Sequence, residues 1–99
     1  MRVIAKSRLC QYAEKNRYRE AGQQLLAWYD EMHKGTWKNF NELRRDYPTA
    51  SLVGNNRVVF NIRGNAFRLI VKIEFRINAV YIRFFGTHKE YDTINAEEV

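Results

Sequence analysis

The sequence predicts an α+β fold in which helices come first and an antiparallel sheet follows, and three observations carry that expectation. Apolar residues recur at helical spacing up to Pro48 and alternate with polar ones beyond it. They also make up 45% of the 99 residues, enough to build a core. A chain of this length has room for one such core, so residues 1–99 are expected to form a single domain.

Val3, Ile4 and Ala5 read as a short strand, and Ser7 is placed to N-cap a helix running through Tyr12 and Ala13. A longer helix is expected from about Glu20 to Lys34, because Ala21, Leu25, Trp28 and Met32 fall on one face and Gly35 follows as a stop. Asn39 with Glu42 three residues on resembles a capping box, and Phe40, Leu43 and Tyr47 then share a face until Pro48 ends the element. Three strand-like runs come next, Asn56 to Ile62, Phe67 to Ile77 and Val80 to Phe85, joined by hairpin connections at Gly64-Asn65 and Asn78-Ala79.

Hairpins at those two places fix which side chains share a face, since the side-chain period of a strand is two. The first sets Val58, Phe60 and Ile62 against Val71, Leu69 and Phe67, leaving Arg57 opposite Lys72 and Asn61 opposite Arg68 on the other side. The second sets Ile73, Phe75 and Ile77 against Phe84, Ile82 and Val80, with Arg76 opposite Tyr81, Glu74 opposite Arg83 and Lys72 opposite Phe85. One face is then apolar enough to receive the helices. The other carries Arg57, Asn61, Arg68, Lys72, Arg76, Tyr81 and Arg83. A solvated face carries charges in any case, and Glu74 with Arg83 reads equally as a cross-strand ion pair. Against that stand cations placed directly opposite one another, which repel unless an anion lies between them, and the rings of Tyr81 and Phe85, on which bases could stack.

Seventeen Lys and Arg against eleven Asp and Glu give a net charge of +6, which points to a polyanionic partner, nucleic acid or ribosome ahead of a membrane surface. Cys10 is the single cysteine, so no intrachain disulfide forms and a reducing compartment is the simpler expectation. With His33 and His88 the only histidines, no metal site and no cofactor are expected. The opening residues lack the apolar core of a signal peptide, and no run approaches the ~18 apolar residues of a membrane span. The expected location is therefore the cytoplasm.

After the third run, Gly86-Thr87-His88-Lys89-Glu90-Tyr91-Asp92 places an imidazole, a phenol and a carboxylate at the end of the basic face. This stretch follows "RFFG". Together with "GNNRVVFNI" at Gly54 to Ile62, the "RGNAFRLIVKI" after it, the opening "MRVIAKS" and "WYDE" at Trp28 to Glu31, it resembles the HigB family of toxins, within the RelE-like superfamily. The likeness is weakest from Arg8 to Gln24. It implies a RelE-like fold, with an N-terminal strand and helices on one face of a curved antiparallel sheet and a short C-terminal tail or helix. It further implies a metal-independent endoribonuclease, an mRNA interferase that cuts messenger RNA engaged with the ribosome. Its neutralising partner would be a helix-turn-helix antitoxin of the HigA kind.

Metal-independent RNA cleavage needs a proton acceptor, a proton donor and cations around the transition state. His88 is the natural proton carrier, since imidazole ordinarily titrates near neutrality. Tyr91 is placed to orient the ribose or donate, and Arg68 and Lys72 to stabilise the phosphorane, with Arg57, Asn61, Arg76, Tyr81, Arg83 and Lys89 holding RNA. Some RelE-like enzymes lack a histidine and depend on arginine, lysine and tyrosine, so a merely structural His88 stays open, as does a packed Tyr91. Asp92 is expected to cap or to contact His88, and His33 to complement a helix dipole. A non-catalytic RNA- or ribosome-binding repressor is the alternative. A DNA-binding subunit is disfavoured because no helix-turn-helix pair with a basic recognition face is visible.

Overall fold

A computed structural model of the chain describes all 99 residues except the side chains of residues 16 and 17. The order is β1 (Arg2–Ile4), α1 (Lys6–Glu14), a 3-10 turn (Asn16–Ala21), α2 (Gly22–Lys34), α3 (Phe40–Asp46), β2 (Ser51–Gly54), β3 (Arg57–Ile62), β4 (Phe67–Glu74), a second 3-10 turn (Phe75–Ile77), β5 (Ala79–Thr87) and α4 (His88–Tyr91). The α+β class is as expected. The five strands form one sheet in the order β1-β5-β4-β3-β2. It is mixed and not wholly antiparallel, because β1 pairs in parallel with β5.

The helices form where their apolar faces demand. Ala21, Leu25, Trp28 and Met32 are all buried, and Gly35 ends α2 where a Cβ would come within 2.3 Å of the Trp37 ring. The Asn39 side chain accepts a hydrogen bond from the Glu42 N–H at 3.0 Å, and the Glu42 carboxylate accepts one from the Lys38 N–H. The Asn39 half of the expected capping box is present, while Glu42 reaches Lys38 and not Asn39. The first helix differs: its N-cap is Ala5 in a left-handed conformation (φ 65°), and Ser7 lies inside the first turn. The 3-10 turn also takes the start of the second helix, which begins at Gly22 and not near Glu20.

Against the sheet these helices pack one apolar cluster. Trp28 meets Phe60 edge-on at 5.4 Å, Tyr47 meets Phe60 at 5.2 Å, and Phe67 stacks on Phe85 at 5.6 Å. Such pairs contribute about 0.5–1.5 kcal/mol each beyond the area they bury.

The β3–β4 register is the expected one, from Arg57 opposite Lys72 to Ile62 opposite Phe67. Positive φ at Arg63 and Gly64 lets the chain reverse, closed by the Ala66 N–H on the Arg63 carbonyl at 3.2 Å. A hairpin joining β2 and β3 was not foreseen; Asn55 and Asn56, both at positive φ, turn it, so Asn56 belongs to the turn and not to the strand. Asparagine tolerates that conformation better than most residues.

The β4–β5 pairing departs from expectation. Ile73 faces Val80 where Phe84 was expected, a displacement of four positions, because Phe75–Ile77 coil into a 3-10 turn closed by Asn78 at φ 53°. Ile77 consequently projects into solvent, 66% exposed. An even displacement keeps Val80 and Ile82 on the helix side and Tyr81 on the other. A bulge between Ile70 and Val71 on β4 and Arg83 on β5 then inverts the order: Phe84 faces Ile70, and Phe85 faces Leu69 and is buried in the main core. Phe85 is therefore a core ring and not part of the basic face.

Candidate nucleic-acid interface

The sheet face turned away from α1, α2 and α3 carries Arg57, Val59 and Asn61 on β3, Arg68, Ile70, Lys72 and Glu74 on β4, and Tyr81, Phe84 and Gly86 on β5. Val59 and Ile70 are buried there although they lie outside the main core cluster. The chain after Tyr91 returns over this side. The Glu97 carbonyl accepts from the Asn55 side chain at 3.2 Å, and the Val99 carbonyl accepts from Arg57 Nε and Nη2 at 3.1 and 2.8 Å. The face is thus an apolar centre with a strap across one end, bordered by cations.

At the end near α4, Arg68 is 9% exposed and its guanidinium is fixed: Nη1 donates to the Asn65 carbonyl at 3.0 Å and Nη2 to Asn65 Oδ1 at 2.6 Å. Its Cζ lies 5.8 Å from the centre of the Tyr91 ring. The ladder runs on past the strand, the His88 N–H donating to the Ala66 carbonyl at 3.0 Å, so α4 starts beside the β3–β4 turn that holds Arg68. Thr87 and Glu90 close a capping box around this start. His88 is exposed, and its Nε2 lies 3.5 Å from Asp92 Oδ1. The expected contact between those two side chains is present.

Lys72 and Tyr81 pair across the middle of the face. Lys72 is half-buried with its Nζ 3.6 Å from Glu74, so Glu74 partners Lys72 and not Arg83. Arg83, the bulge residue, has no partner directly opposite it on β4. Its guanidinium lies 5.9 Å from the Tyr81 ring, and its buried Nε has no hydrogen-bond partner among the described residues. Arg57 sits opposite Lys72 but is tied to the strap and to the Asn55 carbonyl. Asn61 pairs with Arg68 and is half-buried. Arg76 falls outside this grouping: it lies in the 3-10 turn, exposed, and not opposite Tyr81. Lys89 is exposed on α4. His33, as expected, is in the last turn of α2, where its ring also stacks on Tyr29 at 5.7 Å.

Four contributors escaped the sequence reading. Asn65 positions Arg68; Phe84 takes the place assigned to Phe85; the Thr87/Glu90 box sets α4; and Arg8 donates to the Ile82 and Arg83 carbonyls at 3.1 and 2.8 Å on the β5 edge that β1 leaves free. Only the Thr-x-x-Glu spacing was legible as a signal. Away from this face, the Tyr47 phenol is raised by burial and by the Glu31 carboxylate that accepts its hydrogen bond at 2.7 Å. Among the described residues, no three His, Cys, Asp or Glu side chains are grouped to hold a metal ion, and no helix is long and apolar enough to cross a membrane.

Residues 21–94, which contain β2 to β5 and the whole Gly86–Asp92 segment, match the family model described as HigB_toxin, RelE-like toxic component of a toxin-antitoxin system. The chain belongs to this family. The match leaves out most of the stretch where the likeness to HigB toxins was weakest. The chain is also similar to the mRNA interferase toxin HigB of Escherichia coli (strain K12), at 32% identity over 98 residues, which is 97% of this chain and 92% of that protein. The mRNA interferase HigB of Escherichia coli O157:H7 and that of Shigella flexneri match to the same extent. Membership in the HigB_toxin family implies a cognate antitoxin and an mRNA target.

Proposed function

We propose that this protein is an mRNA-cleaving toxin, an endoribonuclease that acts without a metal or other cofactor, in the cytoplasm, on messages engaged with the ribosome, and that a helix-turn-helix antitoxin of the HigA kind holds it inactive. The observation that carries the reading is the cluster at the start of α4. There a guanidinium fixed by the β3–β4 turn lies over the Tyr91 ring, and the backbone bond from His88 to Ala66 joins the same turn to the helix bearing the imidazole.

In the proposed route the ribose 2′-hydroxyl attacks the adjacent phosphorus. The new 2′-O–P bond forms as the P–O5′ bond breaks, leaving a 2′,3′-cyclic phosphate and a 5′-hydroxyl. His88 accepts the 2′-hydroxyl proton, its Nε2 lying 3.5 Å from Asp92 Oδ1. Tyr91 orients the ribose or donates to the departing oxygen. Arg68 and Lys72 stabilise the charge that builds on the phosphorane, and a guanidinium already locked by its own hydrogen bonds needs little reorganisation to do so. Arg57, Asn61, Tyr81, Arg83 and Lys89 would hold the strand on either side. Exposed Arg76, outside the cluster, is at most a peripheral phosphate contact.

Expression with and without the neighbouring antitoxin gene, followed by primer extension on cellular transcripts, tests the reading. New 5′ ends and growth arrest are expected for the toxin alone, relieved by co-expression. His88→Ala, and Arg68→Ala with Lys72→Ala, are expected to lower cleavage by roughly 10²–10⁴-fold with native-like circular dichroism. Growth arrest with intact transcripts would instead mark a non-catalytic repressor. Comparing purified toxin on naked and on ribosome-bound message settles the role of the ribosome.

A further inference from the structure

The bulge in β5 has turned an aromatic ring onto the cationic face, and this ring has no part in the route above. Strict alternation would send Phe84 to the helix side and Phe85 outward. The extra residue at Arg83 reverses both, so Phe85 completes the core while Phe84 stands opposite Ile70 on the side of Lys72, Tyr81 and Gly86. The phenyl ring is also confined. Gly86, opposite Arg68, leaves the space its Cζ occupies, and a Cβ on Gly86 would approach that atom to 2.9 Å. The ring thus lies along β5 between the Lys72–Tyr81 pair and the Arg68–Gly86 pair, half-buried. Bulges concentrate beside active sites because they re-aim a side chain in this way.

We infer that Phe84 is the surface on which a nucleobase next to the scissile phosphate stacks, and that it sets how the message lies against Arg68 and Lys72. This rests on the ribonuclease reading of the same face. Cations on both sides bring a phosphate backbone to this part of the sheet, and a preset apolar ring between them gives a base somewhere to go. Every base has a π-face, so the contact secures the strand with little dependence on sequence, and its loss falls on substrate binding more than on the chemical step.

A plain packing role, Phe84 as a cover for Ile70, is separated from stacking by Phe84→Leu, which keeps an aliphatic cover and removes the π-face. With an RNA substrate the variant is expected to keep its thermal transition within a few degrees and its kcat, while KM rises about five- to 150-fold, the range of one lost base stack. Phe84→Tyr is expected to restore KM. The direct measurement uses Phe84→Trp with an oligoribonucleotide made uncleavable by a 2′-O-methyl group at the cut site. Indole emission above that of wild type, whose Trp28 and Trp37 are buried, is expected to be quenched on titration. Absence of quenching, or an unchanged KM in a folded Phe84→Leu, overturns the inference while leaving the nuclease intact. If Phe84→Leu fails to fold, the Phe84→Trp titration alone decides. Failure of the wild-type protein to cut RNA overturns the underlying reading instead.

Discussion

The two faces of the sheet are built on opposite plans. On the helix side, rings touch rings across the whole width, from Trp28 on Phe60 to Phe67 on Phe85, and the side chains of that cluster are nearly all inaccessible. On the other side two aliphatic residues, Val59 and Ile70, are buried among arginines, a lysine and half-exposed aromatics, and the strap at one end of this face is held to Arg57 and Asn55 through its backbone carbonyls. Dense apolar packing places most of the stability on the first face. Freed of that task, the second can carry opposed cations, which would weaken a core and are useful only toward an anion.

Substitutions should expose that division. The largest stability loss is expected from Phe60→Ala, which removes a ring packed on both Trp28 and Tyr47; about 3–5 kcal/mol should disappear from the urea unfolding curve. Ile70→Ala, outside the main core cluster, should cost about 2 kcal/mol, the low end for such a truncation. A loss equal to that of Phe60→Ala would erase the contrast between the faces. Thr87→Ala removes the cap that starts α4 and should cost about 1 kcal/mol. Because α4 carries His88 and Tyr91, cleavage should fall by more than that loss of fold explains. Lys72→Ala, whose pair with Glu74 is half-exposed at 3.6 Å, should leave the unfolding midpoint within about 0.5 kcal/mol of wild type while RNA cleavage collapses.

Last comes a pH effect confined to the helix side. The folded Tyr47 phenol is raised above its unfolded value of about 10, so the folded state holds that proton more tightly. The resulting stability is fully present below about pH 10 and is lost as pH rises through the folded value. Tyr47→Phe should therefore flatten the alkaline limb of stability against pH, measured by denaturant unfolding, and lower the plateau near neutrality by about 1 kcal/mol as the bond to Glu31 is lost, without giving that plateau a slope.

How far the sequence could be read depended on what set each register. The β3–β4 pairing followed from a turn expected at Gly64-Asn65 and from apolar residues on both strands that match in only one alignment, since a one-residue slip would turn Phe60 and Leu69 to solvent; the positive φ values fall one residue earlier, at Arg63 and Gly64, without changing that register. At Asn78 the same reasoning assumed a two-residue turn, and nothing local revealed that Phe75-Arg76-Ile77 would coil. The basic face survived that error because the displacement was even, which is why Lys72 and Tyr81 still meet. Arg76 left the face for the same reason that Ile77 left the core: both belong to the coil. The site at α4 was legible as a motif, but the fixing of Arg68 by Asn65 was not, because it requires the turn geometry itself.

By itself the sequence determined the α+β class, the buried faces of α2 and α3, the cap at Asn39 and the pairing of β3 with β4, all of which follow from periodicity and turn chemistry over short stretches. Tertiary structure alone decided the parallel seat of β1 beside β5, the bulge that exchanged Phe84 for Phe85, and the return of residues 97–99 to Asn55 and Arg57. Each of these joins segments far apart in sequence, and the packing that selects them exists only when the partner surfaces have already met.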